Sequence, residues 1–491
     1  MQERILVTCH GNFRIRERPF LLAKTGDNLM LKKFATVRTA LFVMTVFQLL
    51  WLAGIWITRA TENWQKLALV GVIAALAYLA TFVFRESFFE RIGNRINWLA
   101  ENQRSFLILL AVVVAVIGVA YASVQRVWPF DEVENFYASN IIASQGYKEF
   151  FAQYALENYL SNRHPPLIFM INGLAVSIFG SHLIVIRIVS LIFGYGMLVA
   201  SYFLASSLYG KRTGVLTVLI LLCFPLIIRE STAGLLDVQA TMFFTLTLLL
   251  ALKLVEKPLW TVGLALGLCL GLGLVAKYMV MFVIPVLLVF FVIRRNYRAT
   301  AIPVFLSFLL AGVIFLAWTW YGSTIGVRVP SVAGFSPSDL FAVKAIPADV
   351  LAQDGDVVDE ISVGLGYFLT SEWGRSFLLN ALTTKLPSGL GAYAIPLILI
   401  GLFVMIRQKT SSDLFVALWI GIVSILLILT LPDHRYFMVI FPALAMLGAR
   451  WGELLPAKDM GRMAWLLLIF QIGALYIFVD WSRESELFTG S

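Results

Sequence analysis

The sequence predicts an all-α, polytopic membrane protein of about thirteen transmembrane helices, the architecture of a multi-spanning bundle. Three observations lead there. Of the 491 residues, 60% are hydrophobic and only 14% are charged, far from the balance of a soluble domain. The apolar residues fall in long blocks rather than amphipathic periods, and about 20 such residues are what a helix needs to cross a bilayer. Lys and Arg lie in short clusters between the blocks, gathered on the side of the amino terminus, as the positive-inside rule requires. The net charge of +9 is therefore a topological feature, and nucleic-acid binding is excluded.

Residues 1–35 form a basic tail on the cytoplasmic side, without the apolar core and small-residue cleavage site of a secretory signal. Residues 36–104 hold two spans (36–57 and 66–84) and a cytoplasmic connector. Residues 105–321 form the core, with spans at 105–123, 184–208, 214–228, 238–254, 260–276, 279–293 and 300–321. Residues 387–491 add spans at 387–406, 414–431, 437–449 and 463–480. Two connections on the outer side are long, 124–183 and 322–386. Cys9 lies in the basic tail, and Cys223 and Cys269 lie inside apolar blocks, so no disulfide framework is implied.

The stretch "PPLIFMINGLAVSIFG", Pro165 to Gly180, is apolar enough to cross. Crossing would carry Lys211 and Arg212 outward and Asp237 inward, so it is expected to lie as a helix in the outer leaflet. In "YKEFFAQYALENYL", Tyr147, Phe150, Phe151 and Tyr154 recur at helical spacing opposite polar residues, which predicts an interfacial amphipathic helix.

The ionisable residues avoid the middle of the apolar blocks and gather at their outer ends. In "VWPFDEVENFY", Asp131 and Glu132 open the first outer loop, where an acid suits the first turn of a helix and can equally serve as a base held rigid by it. "NRHPPLIF" places Arg163 and His164 before two prolines that start a helix, either as a basic anchor or beside a lipid phosphate. Arg187 opens the next span. In "RESTAGLLDVQ", Arg229 and Glu230 are expected to pair with each other, whereas Asp237 heads a span whose next residues need no acid. Lys277 interrupts one long apolar stretch, either to snorkel or to meet a phosphate. Gly263, Gly267, Gly271 and Gly273 before it have the spacing that packs helices. "PDHRYF" offers His434, and Arg435 with a fork suited to phosphate. "DGDVVDE", Asp354 to Glu360, is an acidic surface without calcium-loop spacing.

Taken in order, Asp-Glu, His-Pro-Pro-Leu, the Arg of "VIRIVSLIFG", "LYGKRTGVLTVLILLCFPLIIRESTAGLLDVQATMFF" and "GLVAKYMVMFVIPVLL" resemble the GT-C class of integral membrane glycosyltransferases. More narrowly, they resemble the family 39 group, which holds protein O-mannosyltransferases and the transferases that add aminoarabinose or galacturonic acid to lipid A. The resemblance implies the GT-C fold and transfer of a sugar from a polyprenyl-phosphate donor to a lipid, glycan or protein acceptor on the extracytoplasmic face of a bacterial inner membrane. It implies Asp131 as catalytic base with Glu132 beside it, and Asp237 as a second functional acid. Arg163, His164, Arg187, Lys277 and Arg435 then bind donor phosphate, and Asp131, Glu132 and His434 form a metal site for Mg2+ or Mn2+ if one is used. His164 stands where the lipid A aminoarabinose transferases carry Lys, a departure that sets that acceptor in question. Two other classes stay open: a transporter or flippase, which would show repeated halves and midplane charge, and an O-antigen ligase or polymerase.

Overall fold

The computed structural model describes residues 41–43, 45–46, 49–50, 64–124, 127, 131–154, 156, 164–294, 297–326, 386–391, 394–429 and 435–481. Arg163, His434, the acids Asp354 to Glu360 and most of the first apolar block and of the second long loop lie outside them. Among the described residues every regular element is helical and there is no strand. A helix stands at each apolar segment from residue 66 onward. By length and composition five of them can cross a bilayer, or six if one bent pair is a single span, and five more are apolar but shorter.

The first described helix, α1 (Trp64–Val83), leads to α2 (Glu86–Glu101), where the sequence suggested only a connector. Its buried residues Phe89, Gly93, Ile96 and Ala100 recur every three or four positions, so it is an amphipathic helix with one covered face. The peripheral span α3 (Gln103–Val124) has only 17% of its apolar window buried by protein, which leaves most of it to lipid. Next, α4 (Asp131–Tyr154) begins with Asp131, Glu132 and Glu134 in its first turn, where the helix dipole favours acids. Gly146, at φ 87°, breaks α4 and starts the aromatic turn Tyr147 to Tyr154. Helix α5 (Leu167–Phe179) follows the two prolines, and Gly173 lets it touch Ile142 of α4.

The core continues through α6 (Leu183–Tyr209), α7 (Lys211–Leu221) and α8 (Pro225–Thr232), with a bend of 74° between the last two. Then come α9 (Asp237–Glu256), α10 (Trp260–Ala276), a 3-10 turn at Tyr278–Phe282, α11 (Val283–Arg294) and α12 (Tyr297–Thr324). Helix α9 is the central element, with 67% of its window buried. Gly263, Gly267 and Gly271 of α10 face the backbone of Pro303, Ser307 and Ala311 in α12, and Ser307 Oγ donates to Gly263 O at 2.8 Å. These glycines pack helices, since in lipid close backbone approach replaces the hydrophobic effect as the cohesive force. The chain closes with α13 (Leu386–Leu390), α14 (Ala394–Gln408), α15 (Ser411–Leu429), a 3-10 turn at Tyr436–Ile440, α16 (Phe441–Gly452) and α17 (Ala457–Trp481).

The polar contacts fall at two opposite ends of the bundle. At one, Arg450 at the end of α16 pairs with Asp413 at the start of α15 and with Glu453, and Thr213 of α7 donates to Glu453. At the other, Arg187 at the start of α6 donates to the carbonyl of Ala122 at the end of α3 at 2.7 Å. The end of α3 and the start of α6 therefore lie at the same end of the bundle.

Candidate active site

At this second end, five segments distant in sequence meet: the first turn of α4, the first turns of α6, the link from α8 into α9, the end of α10, and Arg435 with Tyr436. Glu132 and Arg187 form the foundation. Arg187 grips the carboxylate with two parallel bonds, Nε to Oε1 at 2.7 Å and Nη2 to Oε2 at 2.8 Å. The backbone N–H of Gly234 donates to Oε1 at 2.7 Å, and Asn135 Nδ2, one turn further along α4, donates to Gly234 O at 2.7 Å. Glu132 is fully buried, and both of its oxygens are committed. A buried charge is tolerated when it is paired and its lone pairs are satisfied, and here both conditions hold. A Cβ at Gly234 would stand 2.4 Å from Ile186 Cδ1 and 3.3 Å from Glu132 Cγ, so a side chain there would have to displace the end of Ile186. Sequence reading named Glu132 and Arg187 but not Asn135 or Gly234. The spacing of three between Glu132 and Asn135 was the available signal.

Asp131 is one residue earlier and so points about 100° around the helix. Its carboxylate forms an ion pair with Arg435, and with side chains 32% and 26% exposed both groups can be reached from outside. Burial alone would push the Asp131 carboxyl up, but Arg435 beside it, helped by His164 and Lys277, holds it below the usual carboxylate value.

Asp237 is the first residue of α9, and Lys277 Nζ donates to its Oδ1 at 2.6 Å, with both side chains under 10% exposed. Lys277 does not snorkel. The chain leaves α10 at Lys277 with extended backbone (φ −158°) before the 3-10 turn, which presents the ammonium at the helix end. That ammonium also lies 4.8 Å from the ring centre of Tyr436, the neighbour of Arg435. Arg435 and Lys277 are thus placed side by side, each against one aspartate.

Arg229 and Glu230 pair as expected, with Nε and Nη2 of Arg229 donating to Oε1 at 2.8 and 2.6 Å. The carbonyl of His164 accepts from the buried Tyr154 hydroxyl, and the His164 ring meets Phe169 edge-on. An aromatic wall continues through Tyr154, Phe151, Trp318 and Tyr321, and Trp318 Nε1 donates to Tyr278 Oη at 3.0 Å, beside Lys277. Among the described residues no three His, Cys, Asp or Glu converge as metal ligands. Glu132, with both oxygens taken, does not fit that task, and His434 lies outside the described residues.

Residues 163–321 match the family model for dolichyl-phosphate-mannose-protein mannosyltransferase, a stretch that contains Arg187, Asp237 and Lys277 but not Asp131 or Arg435. The crystal structure of ArnT from Cupriavidus metallidurans bound to undecaprenyl phosphate superposes with a TM-score of 0.53 at 14% identity, covering 77% of this chain and 78% of that one. The apo ArnT structure gives 0.52 at 16% identity over the same shares. The chain has the GT-C fold. Over residues 163–321 the chain is similar to that mannosyltransferase family, in the stretch where the order of its motifs resembles the family 39 group. The Bacillus subtilis (strain 168) protein YkcB, named as a candidate mannosyltransferase, is 23% identical over 190 residues. That match covers 38% of this chain and only 26% of YkcB.

Proposed function

We propose that this GT-C protein is a glycosyltransferase that moves a sugar from a polyprenyl-phosphate donor to a lipid, glycan or protein acceptor on the extracytoplasmic face of a bacterial inner membrane. The observation that carries this reading is the pairing of two aspartates with two cations at one bundle end: Asp131 with Arg435, and Asp237 with Lys277. The undecaprenyl phosphate held by ArnT and the family model supply the donor class.

The chemistry needs one base and a cradle for an anion. Asp131 takes the proton of the acceptor hydroxyl. The acceptor oxygen then bonds to the anomeric carbon from the face opposite the phosphate, and the bond from that carbon to the phosphate oxygen breaks. The lipid phosphate leaves with the bonding electrons, and one such displacement inverts the anomeric centre. The leaving group is already an anion, so it needs positive charge rather than a proton, which Lys277 and Arg435 provide at low local dielectric. Asp237 orients Lys277, and Glu132 with Arg187 fixes the turn that aims Asp131. A divalent ion, if one participates, would supply further positive charge to the leaving phosphate, and Asp131 is the described acid accessible to it.

The test is a mass-spectrometric comparison of envelope glycolipids and glycoproteins with and without the protein. Loss of one sugar modification supports the reading, and identical profiles with the protein demonstrably inserted overturn it.

A further inference from the structure

Trp419, near the middle of α15, is fully buried and touches two elements that are distant in sequence and meet at the site. Its indole Nε1 donates to the carbonyl of Val439 at 3.2 Å. Its ring stacks on Phe244 of α9, with centroids 5.9 Å apart and planes 16° from parallel. Val439 belongs to the 3-10 turn Tyr436–Ile440, which follows Arg435 directly. Phe244 comes two helical turns after Asp237, so the two share one face of α9, about 10 Å apart along its axis. The turn needs such a hold, because 3-10 geometry makes poorer hydrogen bonds than an α-helix. Val439 precedes Ile440, the N-cap of α16, so its carbonyl lies before the first bond of that helix's ladder. A buried carbonyl without a donor is costly, and Trp419 supplies the donor.

Resting on the transferase reading above, we propose that Trp419 is a positioning residue for Arg435 and sets the spacing between the two cations that meet the donor phosphate. Lys277 is fixed to α9 through Asp237, Arg435 is carried by the turn, and Trp419 bridges α9 to the turn. The ion pair with Asp131 is a weaker hold on Arg435, since its side chains are 32% and 26% exposed and water screens such a pair. The same turn carries Tyr436, whose ring centre lies 4.8 Å from Lys277 Nζ. A shift of Val439 would therefore move the guanidinium and the ring together. A misplacement of about 1 Å at a group that orients substrate costs about 100-fold in rate. An apolar side chain of similar size would fill the space against Phe244 but leave the Val439 carbonyl without a donor. The indole N–H is thus the part of Trp419 that reaches the site, and it does so through Arg435.

The experiment measures the Kd for undecaprenyl phosphate of the full chain in detergent, for the unmodified protein, Trp419→Phe, Arg435→Gln and the double variant. Arg435→Gln is expected to weaken binding by about tenfold or more, the scale of a lost hydrogen bond to a charged group. Trp419→Phe keeps a ring against Phe244 and removes the N–H, and should weaken binding by about three- to tenfold. Because Trp419 acts through Arg435, the double variant should bind within about twofold of Arg435→Gln alone, whereas independent effects would multiply. Multiplied losses would overturn the inference, as would Trp419→Phe protein that binds as tightly as the unmodified one. A merely structural Trp419 would lower the melting temperature in both backgrounds without this dependence on Arg435. If Trp419→Phe does not fold, replacing Trp419 by benzothienylalanine, which keeps the two-ring shape with sulfur in place of the N–H, carries the same cycle. Failure of the unmodified protein to bind undecaprenyl phosphate would overturn the donor reading and the inference with it. The expected binding pattern without sugar transfer would overturn the transferase reading and leave the positioning of Arg435 by Trp419 supported.

Discussion

Asp131 and Arg435 stand 304 positions apart in the chain and form an ion pair at the mouth of the site. The pair ties the first outer loop to the carboxyl-terminal helices and keeps the proposed base ionised. Because the folded-state pKa of Asp131 lies below its ordinary value, its contribution to stability is present above about pH 4 and is lost as pH falls through the lowered value. The kcat/KM profile should then show no acid limb from Asp131 between about pH 5 and 8. Replacing Arg435 by Gln removes the cation that opposes burial, so the acid limb should move upward. A profile unchanged by Arg435→Gln would separate this pair from the base.

Glu132 and Arg187 should behave as a structural unit. Truncating either alone leaves an uncompensated buried charge, at a cost of about 3 to 5 kcal/mol. Glu132→Gln and Arg187→Met are each expected to lower the melting temperature, and the double variant should recover part of the loss. Additive losses in the double variant would show that the two side chains are not coupled.

Lys277 should act on the leaving phosphate. Lys277→Met is expected to reduce kcat by about 100- to 1,000-fold, the scale of one lost electrostatic donor in a low-dielectric site. Lys277→Arg should keep a substantial fraction of the rate, since it preserves the charge beside Asp237. Equal activity of the Met variant and the unmodified protein in a steady-state assay would exclude Lys277 from the chemistry.

The glycine face of α10 carries a stability prediction independent of function. In Gly267→Val the new Cβ would stand 2.5 Å from the carbonyl oxygen of Ser307, a backbone atom that cannot step aside. The helices must separate, which costs about 1 to 3 kcal/mol by overpacking and lowers the melting temperature measured in detergent. Gly312→Ala on the partner helix meets nothing within 4 Å and should be neutral or mildly stabilising.

The parts legible in the sequence were those written in long apolar blocks or in charge placed against apolar neighbours. Asp237 drew attention as an acid heading an apolar span and Lys277 as a cation interrupting one, and they prove to be partners. The placing of the α6 start beside the α3 end agrees with the Lys211 and Arg212 cluster, which an odd number of crossings between them would have misplaced. Pairings were not legible, because an ion pair between residues 55 or 304 positions apart leaves no periodic trace. Thus Asp131 and Glu132 looked like one acidic motif, whereas helix geometry turns one toward the mouth and locks the other inside. Helix α2 was missed because Glu86 to Glu101 is polar enough to read as a loop, its apolar stripe being the sign of one covered face.

In the proposed reaction Asp131 accepts the proton of the incoming hydroxyl. The direct measurement is sugar transfer from a polyprenyl-phosphate donor by Asp131→Asn protein, purified in detergent and shown by its melting temperature to be folded. Turnover is expected to fall to background while binding of the lipid phosphate persists. Turnover equal to that of the unmodified protein would contradict it.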